Sequence, residues 1–83
     1  MKELNINNNE ISNVNFLNKV NFIELNKLNL RGNKIGNIKK IKNINFKELK
    51  ELDLSDNEIS DIKILEKVNF KKLQELNLYH NDI

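Results

Sequence analysis

The sequence predicts an α/β solenoid in which each repeat adds one strand to a parallel sheet and one short helical turn to the other side. Two observations lead to this prediction. Four segments that begin at Met1, Leu25, Leu49 and Leu73 superimpose without a gap. The step from residue 1 to residue 25 gives a period of 24 residues. Each complete segment contains an alternating apolar pattern followed by apolar residues spaced three apart. At a constant period, equivalent strands stack about 4.8 Å apart and form one sheet.

The strand of each repeat is indicated by the alternating pattern. In the second segment Leu28 and Leu30 are separated by Asn29 and flanked by Lys27 and Arg31. This pattern is typical of a short strand that turns one side toward a core. We expect each such strand to cover about five residues.

The helical turn follows the strand. Ile35, Ile38, Ile41 and Ile44 are spaced three apart, which fits a 3₁₀ or short α-helical turn better than a strand. Polar residues suited to starting this turn precede it in each repeat, and they are Ser12, Gly36 and Ser60 followed by Asn13, Asn37 and Asp61. Each repeat therefore consists of a strand, a bend and a helical return.

These patterns together resemble the leucine-rich repeat motif L-x-x-L-x-L-x-x-N-x-I. In the third segment the motif positions are Leu49, Leu52, Leu54, Asn57 and Ile59. The following spacing of Ile59, Ile62 and Leu65 resembles the short-repeat, phosphatase-regulator-like subclass, lengthened by an Asn-Phe step. The resemblance extends over one domain, residues 1–83, with repeats 1–24, 25–48 and 49–72 and a half-repeat 73–83.

The resemblance implies a horseshoe segment with the parallel sheet on its concave face and short 3₁₀ or α turns on its convex face. Such a concave face is used for protein binding, and the motif asparagines form a buried ladder. An amide can satisfy backbone groups where a bend interrupts the strand hydrogen bonds, which supports the same assignment. The ladder residues are Asn9, Asn33, Asn57 and Asn81.

Strand residues that alternate with the core form columns across the sheet and are candidates for partner contact. Tyr79 and Arg31 are the strongest single candidates, because Tyr and Arg often dominate the energy of protein interfaces. The alternative is a solvated scaffold surface. The candidates are Glu3, Lys27, Arg31, Glu51, Asp53, Ser55, Glu75, Asn77 and Tyr79.

The predicted face is small. Four short strands cover about 300 Å² in projection, whereas a standard interface uses about 800 Å² per partner. We therefore expect either a longer repeat array or self-association.

The ends of the array are expected to be uncapped, because the chain starts at the first motif position and the last repeat lacks a helical return. Uncovered apolar edges favour a homo-oligomer formed through the ends. The candidates for this association are Ile62, Leu65, Val68, Leu76 and Leu78.

Composition limits the functions open to the chain. Its 83 residues include 18 Asn, 13 Lys, 12 Leu and 11 Ile, with no Cys and one His. The return segments carry a net charge of +5 and the strand and bend segments −3, so the convex side is basic. The overall charge of +2 is too small to argue for nucleic acid or a membrane surface, and no apolar run is long enough to span a bilayer.

Catalytic, metal and cofactor sites are not predicted. His80 occupies the place of Asn8, Gly32 and Asp56 in the other repeats, which indicates a surface turn rather than a catalytic base. The acidic residues lack EF-hand spacing, and there is no Gly-rich phosphate loop. The sequence thus favours a non-enzymatic module that binds another protein, with a self-assembling repeat unit as the alternative. The lack of Cys, of a signal-peptide core and of an N-x-S/T sequon favours an intracellular location.

Overall fold

Strands and 3₁₀ helices alternate along the chain. The computed structural model describes residues 2–19 and 24–83. Predicted repeat positions Met1, Val20 and Phe22 lie outside the described residues. The strands are β1 (Glu3–Asn5), β2 (Lys27–Asn29), β3 (Glu51–Asp53) and β4 (Glu75–Asn77), and the 3₁₀ helices are η1 (Asn15–Lys19), η2 (Lys39–Asn43) and η3 (Lys63–Lys67).

The strands of the described ranges form one parallel sheet in the order β1-β2-β3-β4. The pairing places Leu4, Leu28, Leu52 and Leu76 in one row, so each strand pairs in register with the equivalent residues of the next repeat. Within the described ranges the helices η1, η2 and η3 lie next to one another, and Ile41 of η2 shares one apolar core with the strand leucines Leu28 and Leu52; we call the side that the helices form the return side. The predicted parallel sheet with short 3₁₀ turns is confirmed.

The strands are shorter than predicted, with three residues each. The reason is a polar side chain at the end of the strand: the Arg31 N–H donates to Asn29 Oδ1 at 3.0 Å and turns the backbone. The same bond ends the other strands, from Asn7 to Asn5, from Ser55 to Asp53 and from Tyr79 to Asn77. Hydrogen bonds between repeats continue past this point, since the Leu30 N–H donates to the Asp53 carbonyl at 2.8 Å.

A left-handed backbone residue follows each strand. It is Asn8, Gly32, Asp56 or His80, with φ between 53° and 71°. Asn, Asp and Gly tolerate this conformation best. At Gly32 a Cβ would also collide with the side chain of Asn8, so a larger residue fits poorly there. His80 is exposed in this turn.

Each helical return starts from one residue of the predicted polar pair. The Lys39 N–H donates to Asn37 Oδ1 at 2.9 Å, and the Lys63 N–H donates to Asp61 Oδ1 at 3.0 Å. An apolar residue, Ile38 in η2, occupies the N-cap position itself and gives no side-chain cap. The second polar residue of the pair therefore starts the turn, one residue earlier than the cap.

The core lies between the sheet and the return side. The strand leucines of the second and third repeats are almost fully buried, as Leu30 and Leu54 show, and so are Ile35, Ile41 and Ile59. Phe46 is also buried, and its ring stacks on Phe70 with centroids 5.9 Å apart. The middle repeats are the best packed because they have a neighbour on both sides.

The five residues expected to lie uncovered at the end of the array differ in burial. Leu76 is 41% exposed, and Ile62, Leu65 and Leu78 are half-buried. Val68 is buried, so the expectation that it lacks cover is wrong. The chain bends immediately after η3, where the Phe70 N–H donates to the Val68 carbonyl at 3.0 Å, and Phe70 packs against the core there.

Candidate protein-binding face

The side of the sheet that faces away from the core is the candidate binding surface. We call it the sheet face. A shallow hollow runs across all four strands at this face. The polar side chains that line it are Glu3, Asn5, Lys27, Asn29, Glu51, Asp53, Glu75 and Asn77.

The sheet face is acidic. Four carboxylates, on Glu3, Glu51, Asp53 and Glu75, are accompanied by the single ammonium of Lys27, which gives a net charge of −3. Lys27 Nζ lies 3.6 Å from Glu51 Oε2, and both side chains are about half exposed. The carboxylates of Glu3 and Glu75 have no ion-pair partner among residues 2–19 and 24–83. The surface therefore favours a cationic partner.

Tyr79 and Arg31 lie at one border of this face, in a cluster that we call the Tyr79 corner: Arg31, Asp56, Tyr79 and His80. Arg31 Nε donates to Asp56 Oδ2 at 2.8 Å. Tyr79 is 74% exposed, and its ring centroid lies 5.9 Å from that of His80. A small hollow is lined by all four residues of the corner. An exposed ring beside a held guanidinium is the combination that often anchors a protein partner.

One predicted contact residue, Ser55, is buried. Ser55 was expected on the exposed face, but it is only 3% exposed. Its hydroxyl donates to Asp53 Oδ1 at 2.5 Å, and its N–H donates to the same oxygen at 2.9 Å. Because the short side chain folds back on Asp53, Ser55 supports the turn and offers no contact to a partner.

The side chains of the last residues of the strands are engaged in hydrogen bonds within the chain. Asn29, Asp53 and Asn77 each accept a backbone N–H two residues later. One oxygen of each is therefore committed to the turn. The first residue of each strand forms a second column, which we call the outer column and which is more available for contact with a partner. It consists of Glu3, Lys27, Glu51 and Glu75.

The motif asparagines hold neighbouring repeats together. Asn57 Nδ2 donates to three carbonyls at 3.0 Å, those of Leu30, Leu54 and Ser55. Its Oδ1 accepts the Ile35 N–H, also at 3.0 Å. Asn33 makes the equivalent bonds to the first repeat, and both amides are 7% exposed.

The two outer asparagines differ from this pair. Asn81 is half-buried and bonds to the Leu54 carbonyl at 2.9 Å, while its Oδ1 accepts the Ile59 N–H. Asn9 is exposed, so its expected burial is wrong. Its amide donates only within its own repeat, to the carbonyls of Ile6 and Asn7. Its side chain makes no hydrogen bond to another repeat within the described residues.

The comparison with known protein families agrees with this geometry. A model described as leucine-rich repeats in two copies matches residues 47–83, and a model described as a leucine-rich repeat matches residues 25–38. Both segments are leucine-rich repeats. Repeats of this kind typically mediate protein–protein interaction and are generally not enzymes. No curated protein and no solved structure matches the chain.

Sequence reasoning missed one member of the Tyr79 corner of these leucine-rich repeats. The repeat alignment predicts only a turn at Asp56, yet its carboxylate accepts a hydrogen bond from Arg31 Nε. The signal was present, since Arg31 and Ser55 share a repeat position and Asp56 follows Ser55. Arg31 and Asp56 are separated by one residue more than the repeat length. The repeat alignment compares only equivalent positions, so it does not pair these two residues.

In residues 2–19 and 24–83, no three His, Cys, Asp or Glu side chains lie close enough together to hold a metal ion. No helix in the same two ranges is long and apolar enough to cross a membrane.

Proposed function

We propose that these leucine-rich repeats bind another protein through the sheet face, and that the partner presents a basic surface. The observation that carries the proposal is the net charge of −3 on the hollow across the four strands. Complementary charge gives such an encounter its speed and orientation. The exposed ring of Tyr79 adds apolar contact area at the border of the same surface.

The extent of the sheet face suggests how it is used. About 300 Å² of projected strand surface is well below the roughly 800 Å² that each partner buries in a standard interface. We infer that the contact extends over adjoining repeats of a longer array or over the Tyr79 corner. Either way Glu51 and Glu75, in the outer column, lie within the contact area.

The test uses charge reversal at the face. Proteins captured by the immobilised chain are identified, and the partner's affinity is then measured for the variant Glu51→Lys/Glu75→Lys. We expect the affinity to fall at least about tenfold, because two attractive contacts become repulsive. Tyr79→Ala should weaken binding about fivefold or more.

The matched control is Glu58→Lys/Glu66→Lys, which changes the net charge equally at two exposed residues that do not line the sheet face. We expect it to bind within about threefold of the parent chain. Equal losses in both double variants, with unchanged circular dichroism, would show that only the overall charge matters and would contradict the proposal.

A second candidate function is self-association through the sheet edges. The N–H groups of Leu78 and His80 have no acceptor among the described residues, whereas the equivalent Leu54 and Asp56 donate to the carbonyls of Asn77 and Tyr79. Leu76 beside them is 41% exposed. At the other edge, Asn9 Oδ1 accepts no hydrogen bond from within the described ranges. A second copy could therefore continue the sheet from β4, in a head-to-tail contact that propagates.

Light scattering across protein concentrations separates the two functions. If the chain self-associates, the mass rises with concentration and Leu76→Lys abolishes the rise while the circular dichroism spectrum is kept. A constant monomer mass at high concentration would eliminate the second candidate and would leave the first untouched.

A further inference from the structure

A second hollow lies on the return side, between η2 and η3, and it shares no lining residue with the hollow of the sheet face. Ile64, which is half-buried, and Ile38, which is almost fully buried, belong to its lining. Lys39, Lys42, Lys63 and Lys67 surround them, and all four lysines are exposed. The hollow thus combines an apolar floor with a ring of ammonium groups.

None of these four lysines has an ion-pair partner within residues 2–19 and 24–83. Lys72, elsewhere on the chain, does have an ion-pair partner: its Nζ lies 2.9 Å from Glu48 Oε2. The hydrogen bond from Lys72 holds the pKa of Glu48 below its ordinary value. One carboxylate, on Asp61, does line the hollow. It is one negative charge against four ammonium groups, so it neutralises only part of the positive charge. The ammonium groups repel one another, and a bound polyanion would relieve that repulsion.

The floor of the hollow departs from the repeat pattern. Ile64 occupies the position of Lys40 in the preceding repeat, outside the buried columns of the core. It is half-buried, and part of its side chain remains accessible. An apolar residue at this position is not required by the repeat and adds a contact surface within the lysine ring.

Gly36 also belongs to the lining of the hollow. The equivalent residues are Ser12 and Ser60, and Gly36 does not have a left-handed φ, so the backbone does not require glycine there. A Cβ at Gly36 would meet only the Glu58 carbonyl oxygen at 3.5 Å, an ordinary contact. A larger side chain is therefore compatible with the backbone and would occupy space in the hollow.

We propose that this hollow binds an acidic peptide segment of a partner protein. A leucine-like side chain of the segment packs on Ile38 and Ile64, and flanking carboxylates pair with the surrounding lysines. A nucleic acid fits less well, because no aromatic side chain lines the hollow to stack on a base. A membrane surface fits less well too, because the apolar atoms are recessed between two helices and no aromatic anchor accompanies them.

The test measures fluorescence anisotropy of a labelled peptide, Asp-Glu-Asp-Leu-Glu-Asp-Glu, at about 0.15 M salt. We expect the parent chain to bind it, and Lys42→Glu/Lys67→Glu to bind at least about tenfold more weakly. Gly36→Leu, which fills the hollow at unchanged charge, should weaken binding about fivefold or more. Gly36→Ser, the residue of the other repeats, is its control and should stay within about twofold.

Lys40→Glu/Lys71→Glu is the matched charge control, since both residues are exposed and neither lines the hollow. Its binding should stay within about threefold of the parent chain. Equal weakening in the two double variants, or equal affinity for a peptide with Asn in place of Leu, would overturn the proposal. So would no binding of the peptide, or tighter binding of single-stranded oligonucleotides or anionic phosphatidylserine vesicles. Thermal unfolding of each variant separates lost binding from lost fold.

Discussion

Replacement of Leu52 by Ala should lower the free energy of unfolding by about 2 to 5 kcal/mol, the range for a fully buried leucine in a close-packed core. Leu52 is 1% exposed in the middle of the sheet, with Leu28 and Leu76 on either side in the same row. A domain of this size is stable by only about 4 to 12 kcal/mol. We therefore expect a large loss of the folded population, measured by urea unfolding followed by circular dichroism.

Leu76→Ala is the matched control, because Leu76 is paired with Leu52 in the sheet register but is 41% exposed. It removes the same atoms from a site that leaves no closed cavity. We expect a cost of about 1 kcal/mol or less. If the two variants unfold at the same urea concentration, the chain is not packed about its middle repeats as described.

Replacement of Asn57 by Ala should cost about 3 kcal/mol, although it removes only a small side chain. The amide serves three carbonyls and the Ile35 N–H, and Asn57 is 7% exposed. Without it, the buried Ile35 N–H loses its acceptor, and the carbonyls of Leu30 and Leu54 each lose one of two donors. Unsatisfied buried groups are costly because water cannot replace the lost partner.

Asn9→Ala makes the same chemical change where the amide is exposed. Its two bonds, to the carbonyls of Ile6 and Asn7, join residues of one repeat, and water can replace them. We expect a loss below about 1 kcal/mol. Equal losses for Asn9→Ala and Asn57→Ala in the same urea titration would mean that bonds between repeats contribute nothing beyond local turn formation.

Repetition made the fold readable from the sequence. Positions such as Leu28 and Leu30 recur in phase, and equal spacing leaves parallel pairing as the simplest way to bury them all. The same alignment located the asparagines of the bends. It also placed Arg31 and Tyr79 on one side of the sheet, and both are members of the Tyr79 corner.

Details that depend on individual side chains could not be predicted from the sequence. Alternation assigns a residue to one side of a strand, but it does not show that the hydroxyl of Ser55 turns back to Asp53. The bend that buries Val68 follows from a local hydrogen bond after η3. The hollow at Ile64 arises where the third repeat differs from the second, and an alignment that seeks similarity gives such differences little weight.

The amide bonds of the bends also determine which changes in chain length the molecule can accept. Asn57 bonds to carbonyls 3 and 27 residues before it, and it accepts the N–H of a residue 22 positions earlier. Inserting or deleting one residue in the return segment would change these separations, so the return would have to bulge or tighten locally to keep the same partners within reach. Adding or removing one whole repeat would leave each of them matched without such an adjustment. Changes by whole repeats are therefore the ones that the bend asparagines accept most easily.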